Sequence, residues 1–206
     1  MASPAYSTML FPSFYDAMVA SLPPEFEVAE SLNFYNHLAL TGPHNASTPT
    51  VKILDLCTGT GSIPRSIAMA WAAAGRGQNS KALRIIGVDN SKEMLKAASE
   101  AWVAVPGVDV EWKFGTLGRR GELDGLEQLD MAIISAGSWH HLETREEQVV
   151  AMAEVKKALR VGGFLVMNIF SLEEILDENV GGGGPDVWHL KDGFWKQVTF
   201  LNDIHI

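Results

Sequence analysis

Apolar and polar positions change texture at Val51. Before it, Phe14 to Ala20 and Phe26 to Leu40 are helical candidates, kept apart by Pro23-Pro24, because proline and its predecessor both resist helix. Gly42-Pro43 and the polar stretch Asn45 to Pro49 read as a loop. Val51 to Leu56 is then a short β-branched run, a strand. Ile63 to Ala74 follows as a helix, with Ile63, Ile67, Trp71 and Ala74 near one face, Pro64 in its first turn and Gly75 at its end. Leu83 to Val88 is the next strand. Ser91 is a plausible N-cap for a helix through Trp102, with Leu95, Ala98 and Trp102 on one stripe. Val108, Val110, Trp112 and Phe114 alternate with polar residues, which predicts a strand with one buried face. Met131 to Ser135 is a compact apolar strand. Thr144 and Glu147 form a capping box for a helix to about Leu159. Gly162-Gly163 is expected to stop it, and Phe164 to Phe170 to be a further strand.

Strands alternating with helices argue for a parallel sheet covered on both faces. Right-handed crossovers then put the strand C-terminal ends on one edge, where ligands of open α/β sheets bind. The expected organisation is an N-terminal helical extension over residues 1–48 and one α/β domain over 49–206. After Phe170, Ser171 to Asn179 suits a helix, Gly181 to Gly184 a linker and Lys196 to Ile204 one strand.

Composition narrows the function classes. The 206 residues are 47% hydrophobic, enough for a sizeable core. The net charge of −9 and the lack of a basic run disfavour nucleic acid and anionic membranes as partners. The longest apolar run, Ile67 to Ala74, is too short to span a bilayer. No signal peptide is visible, and the single cysteine, Cys57, fits a reducing, cytoplasmic setting. It also rules out an internal disulfide and a multi-cysteine zinc site, and no other metal pattern is present.

The informative segment is Ile53-Leu54-Asp55-Leu56-Cys57-Thr58-Gly59-Thr60-Gly61-Ser62, where a strand becomes a helix. Gly59 and Gly61 let backbone approach a ligand closely, and the helix offers free N–H groups. The pattern is D-x-x-x-G-x-G. Pro64 stands where a dinucleotide fingerprint has its third glycine, and no G-K-[ST] follows to make a P-loop. Gly87-Val88-Asp89-Asn90-Ser91 ends the next strand in an acid, and a carboxylate there can accept both hydroxyl protons of a ribose.

ILDLCTGTGS, VDNS at the second strand end, DMAIIS and LRVGGFLVMNIF together resemble the class I S-adenosylmethionine-dependent methyltransferases over roughly Val51 to Phe170. The resemblance implies a Rossmann-like, mostly parallel sheet with helices on both faces, an N-terminal helical lid and S-adenosyl-L-methionine as cofactor. It places the cofactor against Asp55, Cys57, Thr58, Gly59, Thr60, Gly61, Asp89, Asn90, Met94, Thr116, Leu117, Ser135 and Ala136, with Asp89 on the ribose and Asp55 ordering the loop. Cys57 replaces the first glycine of D-x-G-x-G-x-G and is tolerable there with a negative φ. Thr116 replaces a frequent Asp. The C-terminal part of the sheet is expected either to be shortened or to have its exposed edge covered by a second copy or a partner chain.

Ser135 to His141 follows the fourth strand. His140 or His141 is the candidate base, since histidine titrates near neutrality, and a strand-like loop would point the two opposite ways. Tyr15-Asp16 resembles the N-terminal Tyr-Asp that many members of that family fold over the cofactor as a lid, although core anchoring of a helix is the competing reading. Trp139 and Asn168 are candidates for the substrate side, and Trp188, Phe194 and Trp195 for an acceptor wall or for plain core. Cys57 reads as a packing residue rather than a nucleophile, with no basic neighbour to lower its pKa. The expected reaction is methyl transfer to an O, N or C nucleophile of a small molecule, in secondary metabolism. Two alternatives stay open: a regulatory or scaffold protein that keeps the cofactor without turnover, and a relative repurposed for another reaction on a natural product.

Overall fold

The computed structural model describes residues 8, 10–21, 28–76 and 81–169. The elements expected between Ser171 and Ile204, including Trp188, Phe194 and Trp195, lie outside the described residues, as does Pro23-Pro24.

The elements run α1 (Phe11–Ser21), α2 (Val28–Thr41), β1 (Thr50–Leu56), α3 (Ser62–Ala73), β2 (Ala82–Asp89), α4 (Lys92–Ala101), β3 (Val108–Phe114), β4 (Leu129–Ile134), α5 (Arg145–Ala158) and β5 (Leu159–Met167). The five strands form one sheet in the order β3-β2-β1-β4-β5, every pairing parallel. Register places Leu56 beside Val88 and Ile134, and Asp89 beside Phe114, so the strand C-termini share one edge.

The period of two along the strands divides the core. Val51 and Ile53 of β1 join Ile63, Ile67 and Trp71 of α3 and Tyr35 and Ala39 of α2 on one face. Leu54 and Leu56 join Val155 and Ala158 of α5 on the other. α2 is thus a helix of the core layer, its C-terminal turn pressed against Phe164, where a Cβ on Gly42 would meet the ring at 2.9 Å. α1 is attached more thinly, with Pro12 its one buried residue.

Two helix starts follow from their caps. The Ser91 hydroxyl accepts from the Met94 amide at 3.2 Å, and both halves of the Thr144–Glu147 capping box are formed. Three expectations are corrected. Ala74, expected on the buried face of α3, is its exposed C-cap. Phe114, on the side of β3 expected to be buried, is 51% exposed, with the Lys92 ammonium 5.6 Å from its ring centroid. Gly162-Gly163 does not stop a helix: α5 ends at Ala158, and the glycines sit inside β5 near the register shift opposite Leu129 and Met131. A Cβ on Gly163 would come within 2.7 Å of the Leu129 carbonyl oxygen, so close strand approach explains glycine there.

At the opposite edge of the sheet, Asp130 accepts from the Asn45 and Lys52 amides at 2.9 and 3.0 Å and from Arg160 Nε at 2.7 Å. Arg160 also donates to the Pro43 carbonyl. This buried ion pair fixes the α2–β1 loop and leaves the C-terminal edge to the loops that carry the candidate site.

Candidate functional site

The loop after β1 is held from several sides. The Thr58 amide donates to the Val88 carbonyl at 3.0 Å, and the Gly61 amide to the Thr58 carbonyl at 2.9 Å. The Gly59 amide donates to Asp89 Oδ2 at 2.8 Å, while Asp89 Oδ1 accepts from the Ser91 amide at 2.9 Å. The acid at the end of β2 therefore grips the loop after β1 and starts the turn into α4. With the Asn90 amide as a third donor, the carboxylate still keeps lone-pair capacity for another.

The two glycines have different reasons to be glycine. Both have positive φ, +56° at Gly59 and +77° at Gly61. A Cβ on Gly59 would meet nothing within 4 Å, so that residue faces open space at the strand edge. A Cβ on Gly61 would lie 2.6 Å from the Trp112 ring and 3.1 Å from the Ala98 Cβ. Gly61 is the N-cap of α3 and is there for internal packing. Trp112 also closes over Gly87, where a Cβ would again sit 2.6 Å from its ring.

Cys57 has φ +59°, against the negative φ expected of it. A non-glycine residue there carries backbone strain that a glycine would avoid. Burial, reinforced by the Asp89 and Asp55 charges, pushes the thiol up to about 12, with a side-chain hydrogen bond to Ser138 working the other way. It stays a thiol near neutrality.

Asp55 is 1% exposed. Its Oδ2 accepts from the Thr58 hydroxyl at 2.5 Å, and its Oδ1 is buried without a partner among the described residues. Burial raises this carboxyl to about 7; the Thr58 bond opposes the rise and the Asp89 charge adds to it. Asp89 is raised too, mainly by burial, against the Gly59, Ser91 and Asn90 amides. An orphaned acidic oxygen beside a second acid suits a ligand with a cationic group and hydroxyls.

Thr60 is 2% exposed, and its hydroxyl donates to Asp16 Oδ1 of α1 at 2.7 Å. Its carbonyl accepts from Arg65. Asn90, Thr116 and Ser135 are half-buried near the same edge, whereas Met94 is buried in the core and Leu117 packs on the α5 side of the sheet. Ala136 is exposed at φ +52°.

The loop after β4 is a 3-10 turn over Ser138–His141, not the strand-like stretch expected. Neighbouring side chains on such a turn diverge by about 120°, not to opposite sides. His140 and His141 are both exposed. Trp139 packs on the second core, and Asn168 holds the turn by accepting from the Gly137 amide at 3.2 Å. Tyr15 is half-buried on α1, 6.2 Å from the Phe11 ring between centroids. No cluster of three or more metal-ligating side chains occurs among the described residues. Arg65, Trp112 and Ser138 touch the candidate site although the sequence did not single them out for it, and Asp16 entered only as half of the lid pair. The Tyr15-Asp16 pair was the one signal pointing at α1.

Comparison with known proteins gives the chain a family. A curated relative, an uncharacterised 37.1 kDa protein of a transposon from Streptomyces fradiae, is 31% identical over 119 residues, which are 58% of this chain and 30% of that protein. The methyltransferase CcbJ of Streptomyces caelestis superposes with a TM-score of 0.54 at 20% identity, covering 79% of this chain and 56% of that one. CalS10 of Micromonospora echinaspora, an amino pentose methyltransferase solved with S-adenosylmethionine bound, gives 0.51 at 19% identity over 77% and 56%. The chain thus spans less than a third of the first relative and little more than half of the other two. The family model described as a methyltransferase domain matches residues 53–163, from β1 into β5 and more than half of the sequence. The chain belongs to the methyltransferase domain family.

Proposed function

We propose that this chain binds S-adenosylmethionine at the C-terminal edge of the sheet and transfers its methyl group to an O, N or C nucleophile of a small molecule. The observation that carries the reading is the pairing of Gly59, open to the edge, with Asp89, whose carboxylate holds the Gly59 amide at 2.8 Å. A Cβ would fill the space that Gly59 leaves, and the buried Asp55 Oδ1 awaits a donor. When bound, the cofactor supplies an electrophilic methyl group on a sulfonium.

The chain's own residues then have distinct tasks. The lone-pair capacity that the three amides leave on Asp89 accepts from the ribose. Asp55, reached through the loop, favours an ammonium nearby. Cys57, Thr58 and Thr60 shape the turn, while Asn90, Thr116, Leu117, Ser135 and Ala136 border the rest of the cofactor. Met94 supports this wall from the core. Alignment of donor and acceptor supplies most of the catalysis. His140 or His141 takes the acceptor proton where the nucleophile is weak, both lying on the turn that Asn168 braces.

Acidity supports a small-molecule acceptor over nucleic acid. No helix among the described residues is long and apolar enough to cross a membrane. CalS10, an amino pentose methyltransferase involved in calicheamicin biosynthesis, supports an acceptor from secondary metabolism. The outer side of β5 is unpaired among the described residues, consistent with a second copy or a partner chain there. Light scattering tests that part: a monomer at all concentrations discards a second copy.

Calorimetric titration with S-adenosylmethionine and S-adenosylhomocysteine tests the cofactor reading. Micromolar binding of both is expected. A folded sample that binds neither overturns it. Binding without turnover across an acceptor screen favours the regulatory alternative, and product without consumption of the methyl donor favours a repurposed enzyme.

A further inference from the structure

We infer that Trp112 is a positioning residue of the candidate site: its ring, laid across the side-chain gap at Gly87, holds Thr58 against Asp55 and keeps water from that pair. The inference rests on the cofactor reading above and adds to it a residue that acts through Thr58 and Asp55.

Asp55, Gly87 and Trp112 form one row across the sheet, Asp55 paired with Gly87 and Gly87 with Trp112. Partners in parallel strands share a face, and the period of two puts this row on the α3 side, with Val51, Ile53, Val108 and Val110. Neighbouring strands lie about 4.8 Å apart, so a side chain on the middle strand would ordinarily stand between the acid and the indole. Gly87 supplies none. Its φ is not positive, so it is the room it leaves, and not its backbone, that asks for glycine. A Cβ there would lie 2.6 Å from Trp112 Cε3 and Cζ3 and 3.0 Å from Thr58 Oγ1. Ring and hydroxyl thus fill the gap together, and that hydroxyl donates to Asp55 Oδ2 at 2.5 Å.

The ring is itself fixed. Its far edge fits against Gly61, where a Cβ would come 2.6 Å from Cη2, and Trp102 at the C-cap of α4 meets it edge-on, with centroids 6.1 Å apart. Trp112 is half-buried, whereas Thr58 and Asp55 are buried, so the indole is the outer cover of the pair on the β3 side. Asp89 of β2, the Tyr35 phenol of α2 and Cys57 of the loop also act on this acid or feel its charge. β4 offers Ile133 beside it, and Arg65 of α3 donates to the Thr60 carbonyl. Burial holds the phenol and the thiol above their ordinary values, so both stay neutral near pH 7. The dry surroundings that raise Asp55 to about 7 therefore depend on the cover, and water let into the gap lowers it.

The test measures S-adenosylhomocysteine affinity by calorimetry on the full chain at two pH values. A cationic ligand favours the ionised acid, so the parent is expected to bind about fivefold more tightly at about pH 7 than at about pH 6. In Trp112→Leu the acid ionises about one unit lower, and the ratio falls to about twofold. Trp112→Phe still covers Gly87 and gives up only the Gly61 contact, so it keeps the parental ratio at a lower melting temperature. Gly87→Ala parts ring and hydroxyl from the other side and should match Trp112→Leu; it decides the matter if Trp112→Leu does not fold. Asp55→Asn shows what Asp89 contributes, and a parental ratio that persists whole in it overturns the inference. So does a parental ratio in both Trp112→Leu and Gly87→Ala, or a reduced one in Trp112→Phe. If the parent binds no S-adenosylhomocysteine, the cofactor reading falls, and the melting temperature of the ligand-free chain decides about Trp112 instead. Stability that falls from about pH 5 to about pH 7 in the parent should level off above about pH 6 in Trp112→Leu, and parallel profiles overturn the inference.

Discussion

The Gly59 amide donates to the Asp89 carboxylate at 2.8 Å, so the last residue of β2 holds the loop that leaves β1. Because the two strands are parallel and adjacent, a ligand that meets this carboxylate also lies along the glycine-rich turn. Removing the carboxylate should therefore act twice, on the ligand and on the turn. Asp89→Ala is expected to weaken binding of S-adenosylhomocysteine by about 1.5–3 kcal/mol, the scale of a hydrogen bond to a charged group. Calorimetry reads this directly, and an unchanged isotherm would remove Asp89 from the ribose role.

Gly59 and Gly61 should separate in their effects. Gly59→Ala adds a methyl group to open space at a positive φ, costing about 1–2 kcal/mol of stability and blocking ligand approach. Gly61→Val drives its side chain into Trp112, so its main expected effect is a fall in melting temperature, from overpacking of about 1–3 kcal/mol on top of the backbone strain. Melting curves beside titrations distinguish the two. Equal melting temperatures would show that Gly61 is not packed as described.

Asp55 should make the protein respond to pH near neutrality. Its carboxyl titrates near 7 in the folded chain against an ordinary value of 3.8, because burial penalises the charge. The folded form then keeps a proton that the unfolded form releases, and stability falls as pH rises between those two values. Above about 7 the whole penalty is present. Asp55→Asn is expected to flatten the melting temperature across that window. A cationic ligand favours the ionised acid, so cofactor binding should release a proton below neutrality, measurable by titration in buffers of different ionisation enthalpy. Proton release that persists unchanged in Asp55→Asn would assign it to another group.

Replacing His140 and His141 singly by Gln tests the proton role. If one is the base, its variant should lose about 10²–10⁴-fold in kcat, with S-adenosylhomocysteine affinity kept and the acidic limb of the pH profile gone. Two variants with parental profiles would leave both histidines as surface residues of the turn.

Much of this protein is written locally. A β-branched run, the Ser91 cap, the Thr144–Glu147 box and the D-x-x-x-G-x-G pattern each act within a few residues, so β1, α4, α5 and the loop are legible from sequence. Asp89 is legible for the same reason, since strand alternation and the next helix start bracket it. The failures are all matters of what a residue meets across space. Gly162-Gly163 looks like a helix stop, but its glycines answer to Leu129 on the neighbouring strand. Gly61 is expected against the cofactor, and the sequence does not show that a Cβ there would also meet the ring of Trp112, far along the chain, at 2.6 Å.

The sequence by itself determined the alternation of elements, the sheet edge that carries the loops and the acid-and-glycine chemistry placed on it. Tertiary structure alone decided which glycine faces the open side, that Cys57 accepts a left-handed backbone, that α2 belongs to the core, and that Asp16 meets Thr60. The reason is physical. Periodicity, caps and turns depend on neighbours in the chain, whereas burial, close approach and long-range hydrogen bonds depend on partners that only packing brings together.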